Sequence, residues 1–317
     1  MAGSASAATK TIDVGTVYTN STSALAAETL ITVPAGAAFD FRSTSNAYKN
    51  YQYVIYISGT GPDGLGALRN TGTVDFKTDD ANLTKIALNA DALIKANRYM
   101  SLLAKKYART QLSLNGHTLT IDMATGKSFA FYHVASASAT GTVRLRNGIL
   151  AVPSYSSDAG SDLENATFEI VGANSELKVS GLGIYVKNLL MSDSARLTGK
   201  GFVGINGGVF KPSETASAFT GTLRIWGSSI TIDLSGLDGT WMFPAYDFYK
   251  VTSSTVTIKP GAWVSTRSGL IKLVSWSELP SNITFVLDSE SRKHYRLVAD
   301  SAGLWLRRKP GLVITVF

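Results

Sequence analysis

The sequence predicts an all-β protein whose short strands stack as a parallel β-solenoid. Two segments with alternating apolar and polar residues run into Asn-Gly and resume at once, at residues 112–121 and 143–152. Looser versions of this pattern follow through most of the C-terminal two-thirds of the chain. Such segments are typical of strands of about five residues, separated by residues that accept positive φ. The connections are too short for the helical crossovers of a doubly wound sheet.

Composition limits the class of protein. The chain has 317 residues, of which 44% are hydrophobic, and this excludes a disordered chain. It has no cysteine, which excludes a disulfide framework and thiolate metal sites. A net charge of +7 predicts weak, salt-sensitive attraction to anionic polymers, although surplus solvated Lys and Arg explain it equally. No apolar run approaches the ~20 residues of a membrane span.

The N-terminal part begins with small polar residues. Residues 1–10 predict a loose terminus, without the charged and apolar regions of a secretory leader. Short strands are expected at Ile12–Val14, Leu30–Val33 and Ala38–Phe41. We expect a secreted or surface protein whose leader is absent from this chain.

A stronger strand is predicted at Tyr51–Ile57, followed by a Gly-rich turn at residues 58–66. The turn invites a phosphate-binding interpretation. It lacks the Lys-Ser/Thr ending of a P-loop, and no helix is predicted to follow it. We therefore expect a plain turn.

Residues 91–109 are compatible with two structures. Apolar residues near helical spacing and a basic C-terminal end favour a helix. Two solenoid strands joined by a basic turn are the alternative, and the surrounding β pattern favours them.

From Gln111 onward the pattern is β throughout, and two architectures compete for it. An Asn-Gly hairpin would pair Leu112 with Leu119 and keep both on one face. The register therefore does not exclude antiparallel barrels and sandwiches. In a parallel coil, Asn-Gly instead turns the chain from one sheet to the next, with repeats of roughly 20–30 residues. The lack of long loops favours the coil. Beyond the two Asn-Gly units, strands are expected at Ala166–Val171, Glu176–Val179, Ile184–Val186, Ala195–Thr198, Phe202–Ile205, Val209–Phe210, Thr222–Trp226, Ser229–Leu234, Thr255–Ile258, Ile271–Val274, Ile283–Leu287, Tyr295–Val298, Leu304–Leu306 and Leu312–Val316.

Three stretches carry a family resemblance. Gly59–Gly72 resembles the strand-and-turn motif of autotransporter-associated β-strand repeats, and Thr110–Ile121 and Ala173–Ser180 are similar to later coils of the same passenger proteins. The resemblance covers most of residues 50–235. It implies a right-handed parallel β-helix exported to the bacterial surface, with no catalytic residues in the repeat. An autotransporter continues into a membrane domain that this sequence does not show, so we expect a passenger fragment or a separately exported relative.

The predicted organisation is one β-helix domain with ends of different character. Residues 1–10 are expected to be flexible, residues 11–278 to form the β-helix, and residues 279–317 to form a β-rich C-terminal cap of the same domain.

No combination of residues in the sequence predicts a catalytic site. The three histidines are far apart in sequence, and no Gly-x-Ser-x-Gly elbow is present. Isolated turns or outward strand positions explain the acidic residues. We expect no enzyme, no cofactor and no metal. A polysaccharide lyase or hydrolase is the alternative, because parallel β-helices host such enzymes and need two suitably spaced carboxyl groups. The residues considered are His117, His133, His294, Asp79, Asp80, Asp233, Asp238 and Asp247.

Two patches are candidate binding surfaces. The first is an aromatic segment that predicts a stacking platform for sugars, with a satellite core as the alternative. The second is a basic patch that either blunts a strand edge or contacts acidic glycans. The platform residues are Trp241, Tyr246, Phe248 and Tyr249. The basic residues are Arg292, Lys293, Arg296, Arg307, Arg308 and Lys309.

These observations predict a non-catalytic structural or adhesive scaffold at a bacterial surface. Expected partners are the protein itself, by end-to-end or lateral assembly, and glycans or a host or cell surface. No motif supports specific nucleic-acid recognition. A glycan-binding β-helix and, more distantly, a segment of a trimeric phage tailspike are alternatives.

Overall fold

The computed structural model describes residues 9–19, 29–42, 52–76, 82–102, 110–131, 134–136, 140–152, 161–180, 183–213, 219–237, 246–247, 254–266, 269–275 and 282–309. It shows a predominantly β chain whose parallel strands form a β-solenoid, which confirms the predicted fold class. None of the described helices is long and apolar enough to cross a membrane.

Strands make up nearly all of the regular structure. The helical elements described are a four-residue helix α1 (Ser291–His294) and a 3₁₀ helix at Ala262–Thr266. The strands are β1 (Thr9–Thr11), β2 (Val17–Thr19), β3 (Thr29–Val33), β4 (Ala38–Asp40), β5 (Gln52–Gly59), β6 (Leu68–Asn70), β7 (Asn82–Ala96), β8 (Met100–Leu102), β9 (Thr110–Ser113), β10 (Thr118–Met123), β11 (Ser128–Phe131), β12 (Val134–Ser136), β13 (Gly141–Val152), β14 (Ser161–Val171), β15 (Ser175–Val179), β16 (Ile184–Ser192), β17 (Arg196–Gly199), β18 (Phe202–Asn206), β19 (Val209–Lys211), β20 (Thr222–Trp226), β21 (Ser229–Asp233), β22 (Tyr246–Asp247), β23 (Ser254–Lys259), β24 (Leu270–Ser275), β25 (Ile283–Leu287), β26 (Tyr295–Asp300) and β27 (Gly303–Arg308).

Three parallel ladders form the faces of the solenoid. The first runs through β1, β3, β5, β7, β9, β12, β14, β16, β18, β20 and β22. The second runs through β2, β4, β6, β7, β10, β13, β14, β16, β19, β21, β23 and β25. The third joins β8, β11, β13, β15 and β17. Long strands such as β13 therefore belong to two faces.

The Asn-Gly pairs lie at corners of the coil. Asn115 and Gly116 have φ of 52° and 84° and turn the chain between β9 and β10. At the second pair, Gly148 has φ of 84° inside β13. The half of β13 before it pairs with β10 and β14, and the half after it pairs with β11 and β15. The hairpin alternative is wrong, because these neighbours run parallel.

Inward side chains stack in continuous columns. In the second ladder, register partners on successive rungs form one buried column, and none of its members is more than 5% exposed. Each buried side chain of this size contributes about 1.5–3 kcal/mol, but only when the rungs above and below cover it. The column contains Leu119, Val143, Phe168, Leu189, Phe210, Ile232, Ile258 and Leu287. A second column, in the third ladder, contains Met100, Phe129, Leu150, Leu177 and Leu197.

Ion pairs between register partners fix how the rungs align. A slip of two residues would keep the apolar side chains inside, so hydrophobic alternation alone does not prevent it. Such a slip would separate five oppositely charged pairs that now lie directly opposite each other on adjacent strands. These pairs are Asp40–Arg69 (3.6 Å), Lys95–Asp122 (3.5 Å), Arg144–Glu169 (2.6 Å), Glu176–Arg196 (2.7 Å) and Asp233–Lys259 (3.1 Å).

The C-terminal end differs from the coil. Strands β24, β27 and β26 form a separate three-stranded antiparallel sheet in that order. Strand β25 pairs in parallel with β23, so a solenoid rung lies within the predicted cap segment 279–317. Strand β24 belongs to the antiparallel sheet although it precedes residue 279. The two sheets thus alternate along the chain.

Some local predictions need correction. The predicted strand Ile12–Val14 is wrong, because Thr16 donates from its backbone N–H to the Asp13 carbonyl at 3.1 Å and closes a turn there. The strand is β1 instead, so Thr9 and Lys10 are not a loose terminus but pair with β3. Within 91–109, β7 and β8 confirm strands as far as Leu102. Residues 1–8, 103–109 and the predicted strand Leu312–Val316 lie outside the described residues.

Candidate binding surfaces

The cations of the predicted basic patch have two different environments. Three of them are engaged around α1, at the end of the last parallel rung. The Arg292 guanidinium donates to the Leu287 carbonyl at 3.0 Å, and the Lys309 ammonium donates to the Arg292 carbonyl at 2.7 Å. Lys293 forms an ion pair with Glu290 at 2.8 Å. The two contacts made by Arg292 and Lys309 tie the cap to the solenoid, whereas the ion pair is local to α1.

The other cations lie on the antiparallel cap sheet. Arg296 is the register partner of Arg307, which also lies opposite Leu270, so all three share one face. Arg308 lies opposite Tyr295, one residue along the strand and therefore on the other face. The sheet thus separates neighbouring basic residues of one sequence run.

The next row of the same face holds residues that the sequence analysis missed. Lys272, Trp305 and Val298 are register partners, and the Lys272 ammonium lies 5.0 Å from the centre of the Trp305 ring. We call the six residues of these two rows the cap face: Leu270, Lys272, Arg296, Val298, Trp305 and Arg307. Alternation in the sequence indicates that Trp305 shares a face with Arg307 and that Leu270 shares a face with Lys272. The pairing of β24 with β27 brings these two pairs together.

Asp300 is the acidic residue at the far end of this face. The backbone N–H groups of Ala302 and Gly303 donate to the Asp300 carboxylate at 2.8 and 3.0 Å and hold the pKa of Asp300 below its usual value, and Lys272 adds to the effect. Asp300 is four residues from Arg296, about 13 Å along an extended strand. It balances Lys272 rather than the two arginines.

The predicted aromatic platform stays a prediction. Trp241, Phe248 and Tyr249 lie outside the described residues. For Tyr246 the structure describes the backbone, which pairs with Leu223 in the first ladder.

The acidic candidates are described in part. Asp79, Asp80 and Asp238 lie outside the described residues, and Asp247 is described by its backbone pairing with Arg224. Asp233 is buried and accepts hydrogen bonds from the Ser235 backbone N–H at 2.9 Å and from Lys259 at 3.1 Å. Burial acts to raise the pKa of Asp233, but the bonds from Ser235 and Lys259 outweigh it and lower the pKa. This carboxylate holds two rungs together.

Replacing Asp233→Asn should therefore destabilise the solenoid in a pH-dependent way. We expect a loss of about 1–2 kcal/mol in the free energy of unfolding near neutral pH. A lowered pKa stabilises the fold above the ordinary value of 3.8, and this stabilisation is lost as the pH falls through the folded value. Urea unfolding between pH 3 and 8 should show wild type and variant converging below about pH 4. Asp13→Asn, at an exposed position, is the control. A difference that stays constant down to pH 3 would contradict this assignment.

The histidines do not combine into a site. The His117 ring lies 3.8 Å from the Asp91 carboxylate at an exposed turn, and His294 ends α1. His133 lies outside the described residues. Within the described part of the chain, no group of three or more potential metal ligands is found.

A buried arginine anchors the Gly-rich turn. The Arg69 guanidinium donates to both carboxylate oxygens of Asp63, at 2.8 and 3.0 Å. Its register partner Asp40 also accepts hydrogen bonds from Thr71. The hydrogen bond from Arg69 lowers the pKa of Asp63. The turn is thus occupied by its own charges, which agrees with the expectation of a plain turn.

Two further surface features were considered as binding sites: an arginine that is held by neighbouring side chains, and a small cleft. The Arg224 guanidinium lies 3.7 Å from the Phe202 ring centre and donates to the Tyr185 hydroxyl at 2.9 Å. It thereby links three rungs across Gly204.

A cleft of about 230 Å³ beside Asp193 and Lys211 is smaller than typical small-molecule pockets of about 300–1,000 Å³.

Comparison with family models, curated proteins and solved structures finds no match to this chain. The surface geometry is therefore the basis for assigning a function. The cap face brings together cations from three strands beside an aromatic ring: Arg296 and Arg307 are exposed, and Lys272 is half-buried.

Proposed function

We propose that this chain is a non-catalytic structural and adhesive rod, exported to or released from a bacterial surface. The proposal includes kinship with autotransporter passengers, which the motif resemblance suggests. Its adhesive surface in this proposal is the cap face at the C-terminal end.

The observation that carries the proposal is the unbroken column from Leu119 to Leu287. Each rung is covered by the next, and parallel strands repeat at about 4.8 Å, so the rungs add up to a stiff stack. The ion pairs between register partners oppose sliding of one rung on another. A stiff stack with an exposed terminal sheet suits display of a binding face away from an anchoring point.

We propose that the cap also limits self-assembly, because it covers one end of the stack. In the proposed rod, α1 and the antiparallel sheet cover the end of the last parallel rung, β25. Unpaired backbone edges promote strand addition, so a covered C-terminal end opposes growth into head-to-tail fibres.

Adhesion without turnover is the test. The protein, immobilised on a sensor surface, should retain acidic polysaccharides, both carboxylated and sulfated, more strongly than neutral dextran. Retention should weaken with added salt, because a net charge of +7 contributes to attraction. The same polysaccharides should show no new reducing ends or unsaturated uronates after incubation. Turnover would support the enzyme alternative, and failure to retain every acidic polysaccharide would overturn the adhesive role.

A further inference from the structure

Two arginines lie directly opposite each other on the cap sheet. Arg296 and Arg307 are register partners on adjacent antiparallel strands, which places their Cβ atoms about 4.5–5.5 Å apart on one face. Both are exposed. Among the described residues, no carboxylate lies within 4.0 Å of either guanidinium. Like charges placed directly opposite each other destabilise a sheet, and a bound anion relieves that repulsion.

The surroundings of the pair narrow the class of anion. Leu270 is 49% exposed beside Arg307, and Val298 follows Arg296 on the same face. The Lys272 ammonium is held over the Trp305 ring in the adjacent row. The face therefore alternates cationic groups with apolar side chains over three strands.

We propose that the cap face binds an acidic polysaccharide built from uronate units, with Arg296 and Arg307 holding one sugar carboxylate between them. A guanidinium fork matches the planar carboxylate through paired hydrogen bonds. Leu270 and Val298 contact the C–H faces of the pyranose rings, and Lys272 meets the carboxylate of a neighbouring unit. The inference rests on the proposed adhesive function and names its ligand class.

Other polyanions fit this surface less well. Affinity for nucleic acid depends on neutralising several phosphates along a basic track, whereas the cap face carries three cations interrupted by apolar residues. Stable attachment to an anionic membrane by charge requires a larger cluster of basic residues, about four to eight. A uronate chain carries both a charge and an apolar ring face in every unit.

The test compares two variants with the same loss of charge. Arg296→Gln combined with Arg307→Gln removes the pair. Arg308→Gln combined with Lys178→Gln removes two exposed cations away from the cap face. Binding of polygalacturonate is measured by titration calorimetry or biolayer interferometry in dilute salt. The cap-face variant should lose roughly tenfold or more in affinity, and the control less than about twofold.

A stability measurement separates binding from a structural role. Arg296→Gln alone should raise the melting temperature, because it removes the repulsion from Arg307. Polygalacturonate should raise the melting temperature of the wild type but not that of the double cap-face variant. A lower melting temperature for Arg296→Gln would show that the arginine stabilises the sheet, and this would overturn the inference.

The remaining outcomes also decide the question. Equal loss in both double variants would mean diffuse charge attraction and would overturn a defined site. Tighter wild-type binding to duplex DNA, or to vesicles of phosphatidylserine and phosphatidylcholine, would overturn the ligand class. If the wild type retains sulfated polysaccharides but not polygalacturonate, the inference fails while the adhesive function stands. If it retains no acidic polysaccharide, both fail.

Discussion

Replacing Phe168→Ala is expected to cost about 3–5 kcal/mol in the free energy of unfolding. Phe168 is fully buried between its register partners Val143 and Leu189, and its ring meets the Phe131 ring edge to face at 6.3 Å. Truncation to Ala leaves a cavity that three rungs border. Because each rung is supported only by its neighbours, the rungs cannot collapse around the gap without breaking the register of the stack.

Urea unfolding monitored by tryptophan fluorescence measures this loss, and hydrogen exchange locates it. Faster exchange should concentrate on the strands beside Phe168, in β13, β14 and β16. Asn165→Ala is the matched control, because Asn165 is an exposed residue of the same strand. We expect it to change the free energy of unfolding by at most about 0.5 kcal/mol. Equal effects of the two changes would mean that the buried column does not support the fold.

The second large effect is expected for Gly199→Ala. Gly199 has φ of +102°, and a Cβ atom there would lie 1.9 Å from the Val179 carbonyl oxygen. That oxygen accepts a hydrogen bond from the Gly201 N–H at 3.1 Å, so the backbone cannot move away from the new Cβ atom without breaking this bond. Positive φ costs an alanine about 1–2 kcal/mol, and the forced shift adds about 1–3 kcal/mol. We expect the rung between β15 and β17 to open.

Gly126→Ala separates the two contributions. Gly126 also has positive φ, at +73°, but a Cβ atom there meets nothing within 4 Å. Its cost should be the conformational part alone, about 1–2 kcal/mol. Thermal unfolding of both variants gives the difference. Similar losses would show that close approach of the rungs at Gly199 contributes nothing.

The fold was predicted correctly where it depends on residues that are close together in the sequence. Alternation of apolar and polar residues located most described strands, including β15, β18, β20 and β23, because side-chain direction in a strand depends only on neighbouring residues. It failed at Ile12, where an apolar residue enters the core from a position between the end of β1 and the following turn, rather than from a strand. Local pattern does not report which element carries a buried side chain.

The candidate site was predictable in composition but not in arrangement. The run around Arg307 and Arg308 is evident in the sequence, and alternation along a strand places these neighbours on opposite faces. The pairing of β26 with β27, which places Arg296 opposite Arg307, is not evident there. Lys272 joins the cap face from a strand more than twenty residues earlier in the chain, and no local feature indicates that contact. Conversely, Lys293 belongs to the other run of the predicted basic patch, and yet it is neutralised by Glu290.

The sequence by itself determined that this chain forms short strands turned at residues such as Asn115 and Gly116. It left the direction of neighbouring strands open, because a period of two allows Leu119 to pair with Leu112 in a hairpin as well as with residues of other coils. In the tertiary structure, the register partners of Leu119 are Ala92 and Val143 on the neighbouring parallel strands. The physical reason is that a single coil cannot cover its own apolar side chains. Burial then depends on contacts between residues far apart in the chain, which only the stacked rungs supply.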